Sequence, residues 1–487
     1  MEQLFICRMR LFLWYMNDNI KLIYVDLFCG AGGTSTGVEL ATFHGNKCAK
    51  VIACVNHDAN AIASHSANHP DALHFTEDIR TLYLSPLIEH TENFRLNHPN
   101  AYLVLWASLE CTNFSKAKGG LPRDADSRTL ADHLFRYIKA LRPDYIQIEN
   151  VEEFMSWGDM DENGHPISKD KGKSYVRWVN NVCKYGYHFD WRILNAADFG
   201  AYTSRKRFFG LFALHGLPIA FPEATHTKFP GRFEYSLFPS DNLQPWKHVR
   251  EVLDLHDEGE SIFGRKKPLV EKTLERIYAG LIKFVAGGKD AFIVKYNSMN
   301  GKTGKYVAPG IDEPCPTVAT QNRIGLAKVR FLSNFKPWIM STNYRNIGSS
   351  IDEPSQTITA NRKLQYLMNP QFASKGGSID YPSFTLITGM DKMPNFLVST
   401  KEGLAIEIFK TDSHATIKIK EFMALYGIAD IRMRMLNIKE LKLIMGFPKD
   451  YTLIGTQSEQ KKFIGNAVEV NMSRVLCEAL YKKLIQK

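Results

Sequence analysis

Three stretches of this 487-residue sequence place reactive or permissive side chains at the end of an apolar run. In Tyr24–Gly37 (YVDLFCGAGGTSTG) the glycines are spaced GxGG. Glycine there lets the backbone turn sharply and a ligand approach closely, although a strand–helix turn with no ligand uses the same residues. In Leu105–Ser115 (LWASLECTNFS), Cys111 follows an apolar run and precedes a basic, Gly-rich stretch, Ser115–Arg123 (SKAKGGLPR). A lone cysteine after a strand often serves as a small core residue; at the open mouth of a sheet its thiolate can act as a nucleophile. In Gln147–Val151 (QIENV), Glu149 closes a further apolar run. A carboxylate is costly to bury unless paired, so Glu149 is either a site residue or a helix-capping acid.

These residues need a scaffold that brings strand ends together. The first 215 residues alternate β-branched runs with helical patterns, as parallel α/β proteins do. Strands are expected at Leu22–Phe28, Lys50–Val55, Tyr102–Ala107, Tyr145–Glu149, Trp191–Asn195 and Arg207–Leu214. The clearest helix is Thr129–Leu141, with Leu130, Leu134, Ile138 and Leu141 on one face and Thr129 with Asp132 as its N-terminal cap. Such crossovers predict an open, doubly wound, Rossmann-like sheet with ligands at the carboxyl ends of its strands.

From about Leu217 the texture becomes rich in Pro, Gly and aromatic residues. A repeat appears in it: IDEPCPTVAT (311–320), IDEPSQTITA (351–360) and IDYPSFTLIT (379–388). Each copy reads as a turn feeding a short strand, too irregularly spaced for a solenoid, so a smaller β-rich domain is expected over 217–430. Helical texture returns over 431–487, a segment expected to rejoin the first domain, 16–216. Between Ala291 and Lys375, 11 Lys and Arg face four acids, within a chain of net charge +10. That concentration is either a solvated face or one that neutralises phosphates.

No run of about 18 apolar residues appears, so no membrane span is expected. Residues 1–15 are apolar but broken by Arg8 and Arg10, and fit neither a signal peptide nor an anchor; with Met16 in frame, they are expected to be a dispensable extension. The eight cysteines are scattered with no CxxC, which suits a reducing cytoplasm. His65 and His69 are four apart, but Ser66 stands where a metalloprotease carries glutamate. No metal is therefore expected.

Taken in order, DLFCGAGG (26–33), Cys111 with Phe114 and Ser115, and Glu149-Asn150-Val151 resemble the cytosine-C5 DNA methyltransferase family. Ser204–Arg207, Met445–Tyr451 and Gly465–Val468 extend the likeness, which covers about 22–215 and 431–480. The resemblance implies S-adenosylmethionine as cofactor and duplex DNA as substrate. Cys111 would add to C6 of a flipped cytosine, Glu149 would hold the N3 edge, and Arg205 and Arg207 would bind the base carbonyl and nearby backbone. Asp26, Phe28, Gly30, Gly32, Gly33, Asn56, Asp78, Ile79 and Asn466 would surround the cofactor. Ser115, Lys116, Lys118 and Arg123 match the family's mobile loop over DNA. Within the insert, which would serve as the target-recognition domain, Arg323 and Arg362 follow the first two repeats and are candidates to read bases or merely to cap strands.

Three positions depart from the family. Leu109-Glu110-Cys111-Thr112 replaces Pro-Pro-Cys-Gln, Thr203 replaces a glutamine, and Asn56 stands where an acid commonly meets the ribose. Two other readings stay open on sequence grounds: an RNA cytosine methyltransferase, and a catalytically weakened DNA-binding protein. A monomer is expected, and the resemblance leaves open whether the chain has a cognate restriction endonuclease, a functional and not physical partner, or is an orphan.

Overall fold

A computed structural model describes residues 20–109, 126–156, 172–229, 243–296, 306–321, 323–332, 338–341, 349–350, 365–366 and 407–486. The first compact unit comprises Met1–His256, Ile311–Ile324 and Met435–Lys487. Its sheet is built from β1 (Leu22–Leu27), β2 (Ala49–Asn56), β3 (Leu73–Thr76), β4 (Tyr102–Ser108), β5 (Tyr145–Asn150), β6 (Tyr187–Asn195) and β7 (Lys206–Leu214). The spatial order is β3-β2-β1-β4-β5-β7-β6. All neighbours are parallel except β7, which runs antiparallel to both β5 and β6.

The central strands are unbroken apolar runs because both faces are covered. Along β1 every residue is buried, with Ile23, Val25 and Leu27 facing one core cluster and Leu22 and Tyr24 the other. This is the period-two alternation of a strand read from both sides. One face packs against α4 (Asp126–Leu141) through Leu134, Tyr137 and Ile138. The other packs against α10 (Val470–Ile485) through Met472, Leu476 and Leu480. The α4 helix begins at Asp126, so Thr129 lies inside its first turn and is not the expected cap. The β3 strand is short and only half-buried, which is why no apolar run announced it.

The chain steps outward from β1 to β3, then crosses back to β4 on the other side of β1. The carboxyl ends of β1 and β4 therefore flank the point where strand order reverses, the usual ligand crevice of such sheets. Because β7 is antiparallel, its first residues stand beside the end of β5, with Glu149 paired to Phe209 and Asn150 to Phe208.

The second unit, Asp257–Gly310 and Gly325–Arg434, contains a four-stranded sheet. Its strands are β8 (Glu260–Ser261), β9 (Ala291–Lys295), β10 (Ile324–Phe331) and β11 (Ile428–Met435), in the order β8-β11-β10-β9. Helices α6 (Glu271–Gly280) and α7 (His414–Tyr426) share its core through Leu274, Ile277, Ile419 and Phe422. Neither helix was anticipated. Three short strands, Trp338–Ser341, Ser349–Ser350 and Gln365–Tyr366, form a separate sheet.

The unit boundaries differ from the expected 217–430 insert. Leu217, Ile219 and Phe221 pack on the first unit's core, and Pro218 accepts a 3.1 Å hydrogen bond from the Tyr145 hydroxyl. Residues 311–324 also belong to the first unit. There the Cys315 amide donates to Tyr202 O at 2.7 Å and the Ser204 amide donates to Cys315 O at 2.9 Å. The first IDEP copy is thus not a turn–strand unit of the second domain. The other two copies lie outside the described residues.

Candidate active site

A cleft of about 650 Å³ opens at the carboxyl ends of β1, β2, β4 and β5. Its floor at one end is the loop after β1, where Phe28 and Gly30 line the space. Gly30 has φ +53, and a Cβ there would meet nothing within 4 Å. Gly33 sits behind the loop, where a Cβ would stand 2.5 Å from Val468 O, so only glycine lets α1 (Gly33–Leu40) approach the 466–468 turn so closely. Asn56 accepts the Asp58 amide at 2.9 Å, and Asp58 in turn caps α2 (Ala59–Asn68).

The opposite wall carries the charged pair. Glu149 is 6% exposed, and its Oε1 lies 3.1 Å from Arg207 Nε. Arg205 is buried and donates from Nη1 to Val318 O at 3.2 Å. Asn150 Nδ2 donates to Leu109 O at 3.4 Å, tying the end of β5 to the end of β4. Thr317 to Thr320 complete the wall. The backbone of Ala319 and Thr320 abuts Gly465, near the end of α9 (Gln457–Asn466).

A sequence model of the C-5 cytosine-specific DNA methylase family matches residues 22–482. The chain belongs to that family. Among relatives, a type II methyltransferase M1.HphI of Haemophilus parahaemolyticus is 30% identical over 44% of this chain and 52% of its own length. M.AgeI of Thalassovita gelatinovora is 30% identical over 48% and 51%. The chain thus spans about half the length of these two. M.NlaIV of Neisseria lactamica is 22% identical over 95% of this chain and 100% of its own. The crystal structure of S. pombe Dnmt2 methyltransferase aligns at 15% identity and a TM-score of 0.45, covering 95% of this chain and 99% of that one.

Of the residues expected at the site, Phe28, Gly30, Asn56, Glu149, Arg205, Arg207 and Asn466 line one cleft. Gly32 and Gly33 pack behind its loop against Tyr451 and Val468. Three are placed elsewhere. Asp26 is fully buried and accepts the Ser35 hydroxyl at 2.8 Å. Asp78 pairs with Arg80 at 2.6 Å, and that guanidinium lowers its carboxyl below the usual range. Ile79 is a core residue whose carbonyl accepts from the Tyr137 hydroxyl at 2.9 Å. Cys111, Ser115, Lys116, Lys118, Arg123 and Arg362 lie outside the described residues. Arg323 is described, and its guanidinium donates to Gln321 Oε1 at 3.1 Å.

Sequence reasoning missed the 317–320 wall; its only signal was the first IDEP copy, read as part of another domain. It also missed how the histidines divide. His69 turns to Thr36 Oγ1, 3.1 Å away, and burial with nearby His65 pushes its pKa down to about 3. His65 instead joins Cys29 and Cys54, their ligand atoms all within 4.8 Å of one another.

Glu469, the N-cap of α10, is buried beside Arg205 and Arg474, and accepts the Met472 amide at 2.9 Å. Burial raises its pKa from 4.5 to about 7. A raised folded-state value means its stabilising contribution is full below about 4.5 and is lost as pH rises through about 7. Glu469→Gln keeps the cap but has no charge to desolvate. The variant should therefore gain on the parent between about pH 5 and pH 8, by up to about 3 kcal/mol at about 1.4 kcal/mol per pH unit. Urea midpoints at the two pH values measure this; an equal difference at both refutes it.

Proposed function

We propose that this methylase transfers a methyl group from S-adenosylmethionine to C5 of a flipped cytosine in a specific duplex DNA word, through a covalent Cys111–C6 bond. The observation that carries this reading is the Glu149–Arg207 pair, 3.1 Å apart on the cleft wall facing the Gly30 loop. Cys111 follows Leu109, a cleft-lining residue, by two positions in the sequence.

The cleft fits the cofactor. Its volume of about 650 Å³ lies within the roughly 300–1,000 Å³ usual for small-molecule sites, and the space above Gly30 is open. Bound there, S-adenosylmethionine supplies an electrophilic methyl group. Phe28, Gly30, Asn56 and Asn466 would hold it. Asp26, Asp78 and Ile79, away from the lining, would act only through their neighbours.

Cytosine C5 is a weak nucleophile until a thiolate adds to C6. Cys111 forms that bond. Glu149 holds the N3 edge and offsets the charge that develops there. Arg207, aligned by Glu149, and Arg205, anchored on Val318, position the base carbonyl and backbone. C5, now electron-rich, accepts the methyl group; loss of its proton returns the C5–C6 double bond and releases the thiol. The base must leave the stack first, at a cost of roughly a few kcal/mol. Lys116, Lys118 and Arg123 would meet phosphates during that step, beside Ser115.

Tritiated methyl transfer tests the substrate, with duplex DNA and transfer RNA offered in parallel. Label in DNA at C5 of one word, located by bisulfite sequencing, is the expected result. Label in transfer RNA alone, or none in either, overturns the proposal. The second unit is assigned to target recognition, and with it Arg362 and, from the first unit, Arg323. Arg323→Ala should relax the methylated word at one position, losing about 1–3 kcal/mol of discrimination. Uniform weakening on every sequence would make Arg323 a phosphate contact, and an unaltered word with unaltered binding would remove it from recognition.

A further inference from the structure

We propose that Cys29, Cys54, His65 and His74 form a zinc site beneath the Gly-rich loop. The four come from four places: the loop after β1, strand β2, helix α2 and strand β3. Cys29, Cys54 and His65 are each at most 6% exposed. The Cys54 sulfur lies 3.5 Å from His65 Nδ1, and His74 Nε2 lies 2.9 Å from the same nitrogen. Around tetrahedral zinc, bonds of about 2.3 Å to sulfur and about 2.0–2.1 Å to nitrogen put neighbouring S and N about 3.5 Å apart and two nitrogens about 3.3 Å apart. The sulfur–nitrogen pair already has that separation; the two rings must part by a few tenths of an ångström, and the Cys29 sulfur, within 4.8 Å of Cys54 and His65, and the His74 ring, outside that set of three, must close in on a shared ion.

The far side of His65 sets which of its nitrogens faces the cluster bare. The Ser35 hydroxyl donates to Asp26 Oδ2 at 2.8 Å. Ser35 Oγ, 2.9 Å from His65 Nε2, therefore accepts the Nε2–H. The Nδ1 lone pair is left facing Cys54 and His74. A histidine whose second nitrogen donates into a hydroxyl–carboxylate relay is the usual support of a metal ligand. Binding of Zn²⁺ displaces the thiol protons of Cys29 and Cys54 to solvent. Two thiolates, two neutral imidazoles and the dication then make an uncharged centre, which suits a buried position. The two-sulfur, two-nitrogen donor set selects zinc over magnesium or calcium.

The sequence hid this set because no pair follows a zinc-ribbon spacing; sheet pairing assembles it, with Cys54 registered against His74. The consequence falls on the cleft. Cys29 lies between Phe28 and Gly30, both cleft-lining, so the ion would fix the loop whatever the cleft binds.

The test uses the full chain, purified under reducing conditions and dialysed. About one zinc ion per chain should remain by elemental analysis. Cobalt substitution should give a thiolate-to-cobalt charge-transfer band and the visible absorption of a tetrahedral site. Cys54→Ser and His74→Gln should each lose the retained zinc, whereas Cys183→Ser, far from the cluster, should keep it. Ser35→Ala should weaken zinc binding by about tenfold. His74 is only half-buried, so His74→Gln decides the matter should Cys54→Ser fail to fold. A folded parent that retains no zinc and takes up no cobalt overturns the proposal. So does zinc content unchanged in His74→Gln, or a Cys29–Cys54 disulfide found by thiol titration in the reduced preparation.

Discussion

Cys111→Ala is expected to abolish methyl transfer, by at least about ten-thousandfold, the scale on which removing an enzyme's nucleophile acts. The reason is electronic. Without addition at C6, C5 of cytosine lacks the electron density to attack a methyl group, and among the described cysteines only Cys29, a buried residue of the Gly-rich loop, lines the cleft. DNA carrying 5-fluorocytosine separates this role from a structural one. Fluorine at C5 cannot leave as a proton, so the adduct persists after methyl transfer and survives a denaturing gel. The parent should form it and Cys111→Ala should not. S-adenosylmethionine binding should stay near normal in the variant, because the cleft's loop wall is untouched. A trapped complex that survives the substitution removes Cys111 from the mechanism and leaves the family assignment standing.

The sheet was legible where burial on both faces leaves a continuous apolar run. Strands β1, β2, β4, β5 and β7 were read within two residues, and the residues at their ends were legible with them, because a run that stops at Gly30 or Glu149 marks a strand's exit. The order of the strands is what turns those separate ends into one cleft. Short, half-buried β3 left no such mark, and the Cys54–His74 pairing that depends on it went unseen. The 311–320 segment failed differently. Its local chemistry matches its two sister copies, yet its backbone bonds to Tyr202 and Ser204 are tertiary contacts to which a turn pattern is blind. Asp78 and Ile79 show a further limit: the resemblance supplied their roles, while Asp78 pairs with Arg80, Ile79 packs in the hydrophobic core, and neither is among the cleft-lining residues.

Glu149→Gln should lower turnover by at least about a hundredfold, the contribution of a positioned acid–base group. Glutamine matches the shape, keeps an oxygen to accept from Arg207 Nε, and so preserves the wall and the fold. It has no carboxyl group to pass a proton to N3, where negative charge develops as the thiolate adds. The competing role is mechanical, since Glu149 is 3.1 Å from Arg207 and also stands at the end of β5. Kinetics distinguish the two. If Glu149 merely steadies Arg207, then Glu149→Gln, which keeps the accepting oxygen, should leave kcat and KM for DNA near the parent, whereas Arg207→Gln should raise KM with kcat held. If it acts on N3, kcat falls in Glu149→Gln, and trapping by 5-fluorocytosine slows with it, because both depend on the addition step. Turnover unchanged within about twofold, far inside that expected range, would reduce Glu149 to the anchor of Arg207.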